Sequence, residues 1–279
     1  MEKKNLDTQT VEGFGDEWER FDQSSLDPEE AKRLFELYFA VFSWQDLTVH
    51  IEGFDLGFGS GRCAKWVAPR VGRLHWIDPS SALEVAKRNL TEHSNCEFHS
   101  ETVDSMPMAN DSMDFGYSLG VLQHVPDTQA ALVSCVNKLR TCAPFLVYLY
   151  CALDNRPFWF RTIWRMSDFI RQGISKLPRG SRFLVSQIIA AIVYDLLARL
   201  ALLGQKLGFD VVNIPLSAYR ELSFYTLRTD TLDRFGTRLE QRFTRSEIST
   251  MMEKSGLERI VFSENLRHWC AVGYQAESI

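Results

Sequence analysis

The sequence predicts an α/β chain built on a doubly wound, mainly parallel sheet, and three observations carry that reading. Between Ile51 and Ala152, apolar runs suited to strands (near 53–57, 73–78, 96–101, 113–118 and 144–151) alternate with helical spacing over 61–69, 81–92 and 128–140. The first strand runs into a glycine turn, Asp55-Leu56-Gly57-Phe58-Gly59-Ser60-Gly61-Arg62, whose alternate glycines let the backbone turn tightly beside a ligand. Asp78 then closes the next apolar run, Leu74, Trp76 and Ile77. Alternation of this kind puts ligands at the C-terminal edge of the sheet.

Taken in order, the elements justify themselves locally. Residues 1–28 are polar but carry Phe14, Trp18 and Phe21 at helical spacing, which reads either as an aromatic hook over a ligand or as cover for a core edge. Pro28-Glu29-Glu30 opens a helix with one apolar stripe of Leu34, Leu37, Tyr38, Val41 and Phe42. The glycine turn exposes helix N-terminal amides to polar ligand groups. The Asp78 carboxylate can accept both hydroxyls of a ribose. Residues 153–242 interrupt the sheet pattern. The pattern returns with the capping box Thr244-Arg245-Ser246-Glu247, a stop at Gly256, and two strands, "LERIVFSE" and "HWCAVGYQ", joined by a short turn. The organisation expected is therefore 1–152 as N-terminal helices and nucleotide-binding core, 153–242 as a helical cap, and 243–279 as the rest of the core.

The glycine register bears on the cofactor. Gly59-x-Gly61-x-x-Ala64 satisfies the loose dinucleotide pattern of an NAD-linked oxidoreductase. The fuller acid-x-Gly-x-Gly-x-Gly pattern resembles motif I of the class I S-adenosylmethionine (SAM) dependent methyltransferases. A carboxylate there complements the amino group and sulfonium of SAM and would repel a pyrophosphate. "SMDFGYSLGVLQHVPD" is similar to the fourth strand and following loop of the subgroup that includes ubiquinone and menaquinone methyltransferases, with Gln123-His124 in place of the usual double histidine.

The resemblance, over about 50–152 and 243–276, implies a seven-stranded Rossmann-like sheet with an antiparallel last strand and SAM as cofactor. It further implies that Gly57, Gly59 and Gly61 admit the methionine moiety and that Asp55 sits near its amino end. Asp78-Pro79 would meet the ribose. Thr102 and Val103 would flank adenine, with Thr102 where the family often has Asp. Leu119 and Gly120 would lie along the cofactor.

Composition limits the alternatives. A chain of 279 residues with 45% hydrophobic and 24% charged residues suits one elaborated soluble domain. Its net charge of −5 gives no global footprint for nucleic acid, so no nucleic-acid partner is expected. Six cysteines without a C-x-x-C pair read as reduced thiols, and no metal site is expected. The N-terminal stretch lacks an apolar signal core, which makes the cytoplasm the expected compartment.

The insertion and one histidine supply the candidates for acceptor chemistry. His124 follows the fourth strand, where an imidazole can take a proton at neutral pH. Tyr219, Arg220, Tyr225, Arg228, Asp230, Asp233, Arg234 and Arg238 form a dense segment whose arginine forks suit an anionic acceptor or a salt-bridged surface. His124, Tyr219 and Arg228 are the catalytic candidates. Asp154-Asn155-Arg156 reads as an acceptor-side loop or a plain turn. The apolar stretch after Arg182 is uncharged only from Phe183 to Tyr194, short of the roughly twenty residues of a membrane span, and is expected to be a buried cap helix. The basic aromatic stretch 156–182 suits weak membrane-surface contact or a solvated cap helix. The reading is a methyltransferase acting on a small-molecule or lipid-linked acceptor. A non-catalytic SAM-binding, membrane-peripheral scaffold is the other alternative.

Overall fold

The computed structural model describes residues 5–45, 50–57, 59–154, 156–264 and 269–277. Phe58 of the glycine turn, Asn155 of the loop at 154–156 and His268 at the start of the last expected strand lie outside the described residues.

Helix α1 spans Thr8–Arg20, started by Asp7, whose side chain accepts from the Thr10 N–H. Helix α2 (Pro28–Tyr38) begins with proline, where a missing N–H costs nothing, and Asp27 accepts from the Glu30 N–H. Strand β1 (Glu52–Leu56) leads through the glycine turn to α3 (Ala64–Val67). That helix is shorter than its spacing predicts, because Pro69 falls in a 3-10 turn over Ala68–Arg70. Next come β2 (Arg73–Ile77), α4 (Ala82–Asn89), β3 (Cys96–His99), β4 (Phe115–Leu119), α5 (Thr128–Val136) and β5 (Pro144–Leu149). The insertion supplies α6 (Phe158–Ile174), α7 (Arg179–Ile189), α8 (Leu196–Lys206) and α9 (Phe224–Gly236). The chain closes with α10 (Arg245–Lys254), started by the expected Thr244–Glu247 capping box, then β6 (Leu257–Phe262) and β7 (Trp269–Gln275).

The chain divides into two compact units. The first comprises Met1–Asp22, Lys32–Ala152 and Leu239–Ile279, and the second Gln23–Ala31 and Leu153–Arg238. The second unit thus ends at Arg238 and takes in a short piece of the N-terminal region.

The first unit holds one seven-stranded sheet in the order β3-β2-β1-β4-β5-β7-β6. Strands β1 to β5 run parallel, and β7 lies antiparallel between β5 and β6. Burial on both faces explains why β1, β2, β4 and β5 read as near-continuous apolar runs. Phe35, Phe39 and Phe42 join Trp76, Phe115 and Tyr117 in its core. The strand order reverses between β1 and β4, so the ends of those strands open the crevice where ligands bind in sheets of this kind.

In the second unit α9 packs against both α6 and α7. Ile174, Tyr194, Ala198, Leu227 and Phe235 form its core. Beside them sits an ionic layer. Arg171, only 5% exposed, donates from Nε to Asp168 Oδ1 at 2.7 Å and from a terminal nitrogen to the Thr237 carbonyl at 2.8 Å.

The apolar helix of this unit corrects an expectation. It is not a buried cap helix. Helices α7 and α8 are joined by a π-helical segment, Ala190–Asp195, into one helical run over Arg179–Lys206. Inward it turns mostly small side chains, Ser186, Ala190, Ala198 and Ala201, with Tyr194. Outward it turns Leu184, Ile188, Ile192, Leu196, Leu200 and Leu203, all exposed. By length and composition this run of 28 residues is apolar enough to cross a membrane. Counting uncharged residues hid this, because Asp195 and Arg199 pair at 3.0 Å within the run and do not interrupt it.

Candidate functional site

The chemistry collects at the C-terminal ends of β1, β2 and β4. After β1 the chain reverses through Gly57, Gly59 and Gly61, with φ of +77°, +55° and +83°, a backbone region that residues with a side chain rarely adopt. The Gly57 N–H donates to the Ile77 carbonyl at 2.8 Å, fixing the turn beside the end of β2. Asp78 follows directly. It is buried, and its carboxylate accepts from the Ser80 N–H at 2.8 Å. Burial pushes its pKa up, and hydrogen bonds from Ser80 and the Gly59 amide only partly offset this.

A cavity opens here. Its walls are Leu56 and Gly57 after β1, Ile77 to Ser80 after β2, Thr102 and Val103 after β3, and Leu119 to Leu122, His124 and Val125 after β4. Helix α1 and its approach add Asn5 to Asp7, Thr10, Val11, Phe14 and Trp18. Phe14 and Trp18 of the N-terminal aromatic series therefore face the cavity, whereas Phe21 is buried in the core. Asn5 ties this approach down, because its backbone N–H donates to Asp104 and its side-chain amide exchanges two hydrogen bonds with the Asp127 backbone. Nothing in the sequence pattern singled out Asn5.

The expected cofactor residues divide in two. Gly57, Asp78, Pro79, Thr102, Val103, Leu119 and Gly120 line the cavity. Asp55, Gly59 and Gly61 do not. A Cβ on Gly61 would lie 2.6 Å from Leu90 and 3.0 Å from Trp76, so this glycine lets the turn sit on the core. Asp55 is 3% exposed behind the turn. Burial drives its pKa well above the ordinary carboxylate range, against the opposing effect of the Tyr117 hydroxyl, and Asp78 adds a smaller push upward. Thr102 bonds to Ser105, its backbone N–H donating to Ser105 Oγ at 3.2 Å and its hydroxyl lying 3.0 Å from the same oxygen.

The three catalytic candidates are placed differently. His124 is on the cavity wall and nearly buried, with Nδ1 donating to the Leu239 carbonyl at 2.7 Å. A neutral ring then leaves Nε2 as an acceptor, and the Gln123 side-chain amide, 3.2 Å away, donates to it. Gln123 Oε1 is buried with no hydrogen-bond partner among the described residues. Phe14 and Tyr150 hold the imidazole edge-on, with centroids at 5.0 and 5.4 Å. Tyr219 and Arg228 belong to the second unit. Tyr219 packs its ring 5.3 Å from that of Tyr194, and Arg228 donates to Gln187 Oε1 at 2.5 Å. Arg156, of the loop after β5, donates to the Val212 carbonyl at 3.0 Å.

Residues 54–146, from β1 to β5, match the family described as "Methyltransferase domain". These residues carry a SAM-dependent methyltransferase domain. Solved structures agree on the fold of this methyltransferase. One is the methyltransferase in complex with the Haloferax volcanii Trm112 methyltransferase activator, with 13% identity over 94% of this chain and 97% of that one and a TM-score of 0.53. Another, described as an O-methyltransferase from Nostoc punctiforme, is 14% identical over 92% of this chain and 60% of that one, with a TM-score of 0.52. The CurJ carbon methyltransferase is 11% identical over 92% of this chain and 57% of that one, with a TM-score of 0.53. No curated protein matches the sequence.

The cavity fits what SAM carries. Asp78 offers a buried carboxylate to paired hydroxyls. Gly120, with φ of +75°, presents bare backbone to a ligand, since a Cβ there would meet nothing nearer than 3.6 Å. A second polar cluster lies on the face of β2 and β3. His75, Glu97 and His99 bring ligand atoms within 4.8 Å of one another. His75 Nδ1 is 3.0 Å from His99 Nε2, and Arg73 pairs with both Glu52 and Glu97, so a cation of the chain already balances these acids.

Proposed function

We propose that this methyltransferase moves the methyl group of SAM to a small-molecule or lipid-linked acceptor at the mouth of the cavity formed by β1, β2, β4 and α1. The single observation that carries the reading is that one cavity is lined by a buried acid, Asp78, and two side-chain-free turns, Gly57 and Gly120. SAM supplies an electrophilic methyl on a sulfonium. The chain then needs to hold donor and acceptor in line and exclude water, and proximity supplies much of the acceleration.

In this reading Asp78 accepts the ribose hydroxyls, Thr102 and Val103 flank adenine, and the backbone at Gly57 and Gly120 admits the rest of the cofactor. Phe14 and Trp18 keep water out. His124 is the group nearest to hand for an acceptor that must lose a proton. Its Nε2 lone pair is engaged by Gln123, so proton uptake there requires the Gln123 amide to rotate its free Oε1 inward. A thiolate or carbanion acceptor needs no such step.

The test is transfer of labelled methyl from SAM to fractionated metabolite and lipid pools by the purified chain. Label in one chemical class identifies the acceptor. Tight SAM binding with no transfer to any pool supports the scaffold reading instead.

A further inference from the structure

We propose that the second unit docks in the plane of an anionic lipid bilayer through the outward apolar faces of α6 and of the α7–α8 run. Both helices are inside out by the standards of a soluble protein, in which the polar face of a helix looks to water. On α6, Trp159, Ile163, Met166 and Ile170 recur at spacings of four, three and four, with Phe158 and Phe169 beside them, and all six are exposed, Phe169 by 79%. The opposite face of α6 holds the paired Arg171 and Asp168, with the Arg234 guanidinium 5.0 Å from the Trp164 ring centroid. Along α7 and α8, Leu184, Ile188, Ile192, Leu196 and Leu200 repeat every four residues and Leu203 continues them, each about half exposed or more. Water alone does not stabilise two such stripes in one unit.

Charge selects the occupant. From Arg156 to Lys206 the chain has nine Lys/Arg against Asp168 and Asp195, a net +7, although the whole protein is −5. Arg165, Lys176, Arg179 and Lys206 are exposed. Basic groups beside an aromatic and aliphatic face are what a bilayer with anionic headgroups attracts. A second copy on the same surface would set one +7 segment against another.

Polar partners on its inner face keep the long helix in the plane and out of the hydrocarbon. Gln187 is bonded to Arg228, and Arg199 donates to the Arg220 and Leu222 carbonyls as well as to Asp195. A spanning orientation would strip these groups from their partners and place Gln187, Asp195 and Arg199 in lipid. Docking is independent of the methyl acceptor.

The test is flotation of the full chain with vesicles of phosphatidylcholine alone and of phosphatidylcholine with phosphatidylglycerol. SAM binding is titrated in parallel, so that a lost cofactor site is not mistaken for lost docking. The chain is expected to float with the anionic vesicles and to be partly released by salt. The exposed pair Ile192→Glu/Leu196→Glu should weaken that binding by about tenfold or more, while SAM affinity and circular dichroism stay unchanged. Arg165→Glu/Lys176→Glu should reduce binding to anionic vesicles alone. Absence of flotation with either vesicle overturns the proposal. So does a dimer that the Ile192/Leu196 variant dissolves in the absence of lipid, which would make a second copy the occupant. Carbonate-resistant insertion overturns the in-plane orientation.

Discussion

The indole of Trp18 stands where a side chain on Gly59 would begin, because a Cβ built there would lie 2.6 Å from the ring carbon Cε2. Helix α1 thus closes onto the glycine turn through a gap that only glycine leaves. The second glycine of the motif acts on the cavity indirectly, by seating the ring that walls it.

Gly59→Ala must therefore push Trp18 away and also hold an alanine at positive φ, a strain of about 1–2 kcal/mol. SAM affinity, measured by calorimetry, is expected to fall by about tenfold or more. In the Gly59→Ala/Trp18→Ala double variant the combined loss should be smaller than the sum of the single losses, since contacting residues couple. Additive losses would show that ring and turn act separately.

How much of this was legible in the sequence depends on how local the cause is. The strand–glycine–helix start, Asp78 and the last antiparallel strand pair rest on short-range patterns, and the fold shows all three. Phe14 and Trp18 were visible as a spacing, but their facing the cavity depends on the fold of α1. The positions of Asp55 and Gly61 behind the turn were not legible, because a motif fixes the order of residues and not which side of a loop meets a ligand. The apolar run after Arg182 misled for another reason. Hydrophobic periodicity reports a stripe and is silent on whether protein or something else covers it.

Asp55 gives a pH signature. Its folded pKa is raised by burial, above an unfolded value of about 3.9. A carboxyl shifted this way contributes stability that is fully present below the unfolded pKa and lost as pH rises through the folded pKa. Asp55→Asn, which has no charge to bury, should melt near the wild-type temperature at about pH 4 and above it at about pH 7 to 8. Thermal unfolding followed across that range checks the sign. A variant less stable than wild type at neutral pH would mean that the carboxylate is held ionised by a partner.

Asp168 shifts the other way. Burial alone would raise its pKa, but Arg171, Gln172 and Arg234 outweigh this and hold it below the ordinary value. Its contribution is present above the unfolded pKa and is lost as pH falls through the folded one. Asp168→Ala leaves the Arg171 guanidinium, 5% exposed, with carbonyl partners and no counter-charge. The expected cost is about 3 kcal/mol, at the low end for breaking a buried ion pair because Asp168 itself is partly exposed. Denaturant melts at neutral pH measure it. A loss that persists unchanged below about pH 3 would point to packing, because there the wild-type carboxyl is also becoming neutral.

Asp78 carries the sharpest test of the cofactor site. Its carboxylate is on the cavity wall, where Oδ1 accepts from the Ser80 N–H. Asp78→Ala removes a charged acceptor, and the loss of hydrogen bonds of that kind is worth about 1.5–3 kcal/mol, or about ten- to a hundredfold in SAM affinity. The Ser80 amide would lose its partner as well, so some stability should go with it. Ser80→Ala separates the two effects. It removes the hydroxyl that bonds to Asp78 but keeps the backbone N–H and the carboxylate, so it should disturb SAM binding much less. A folded Asp78→Ala protein that binds SAM as the wild type does would remove this acid from the ribose site, whatever the family resemblance implies.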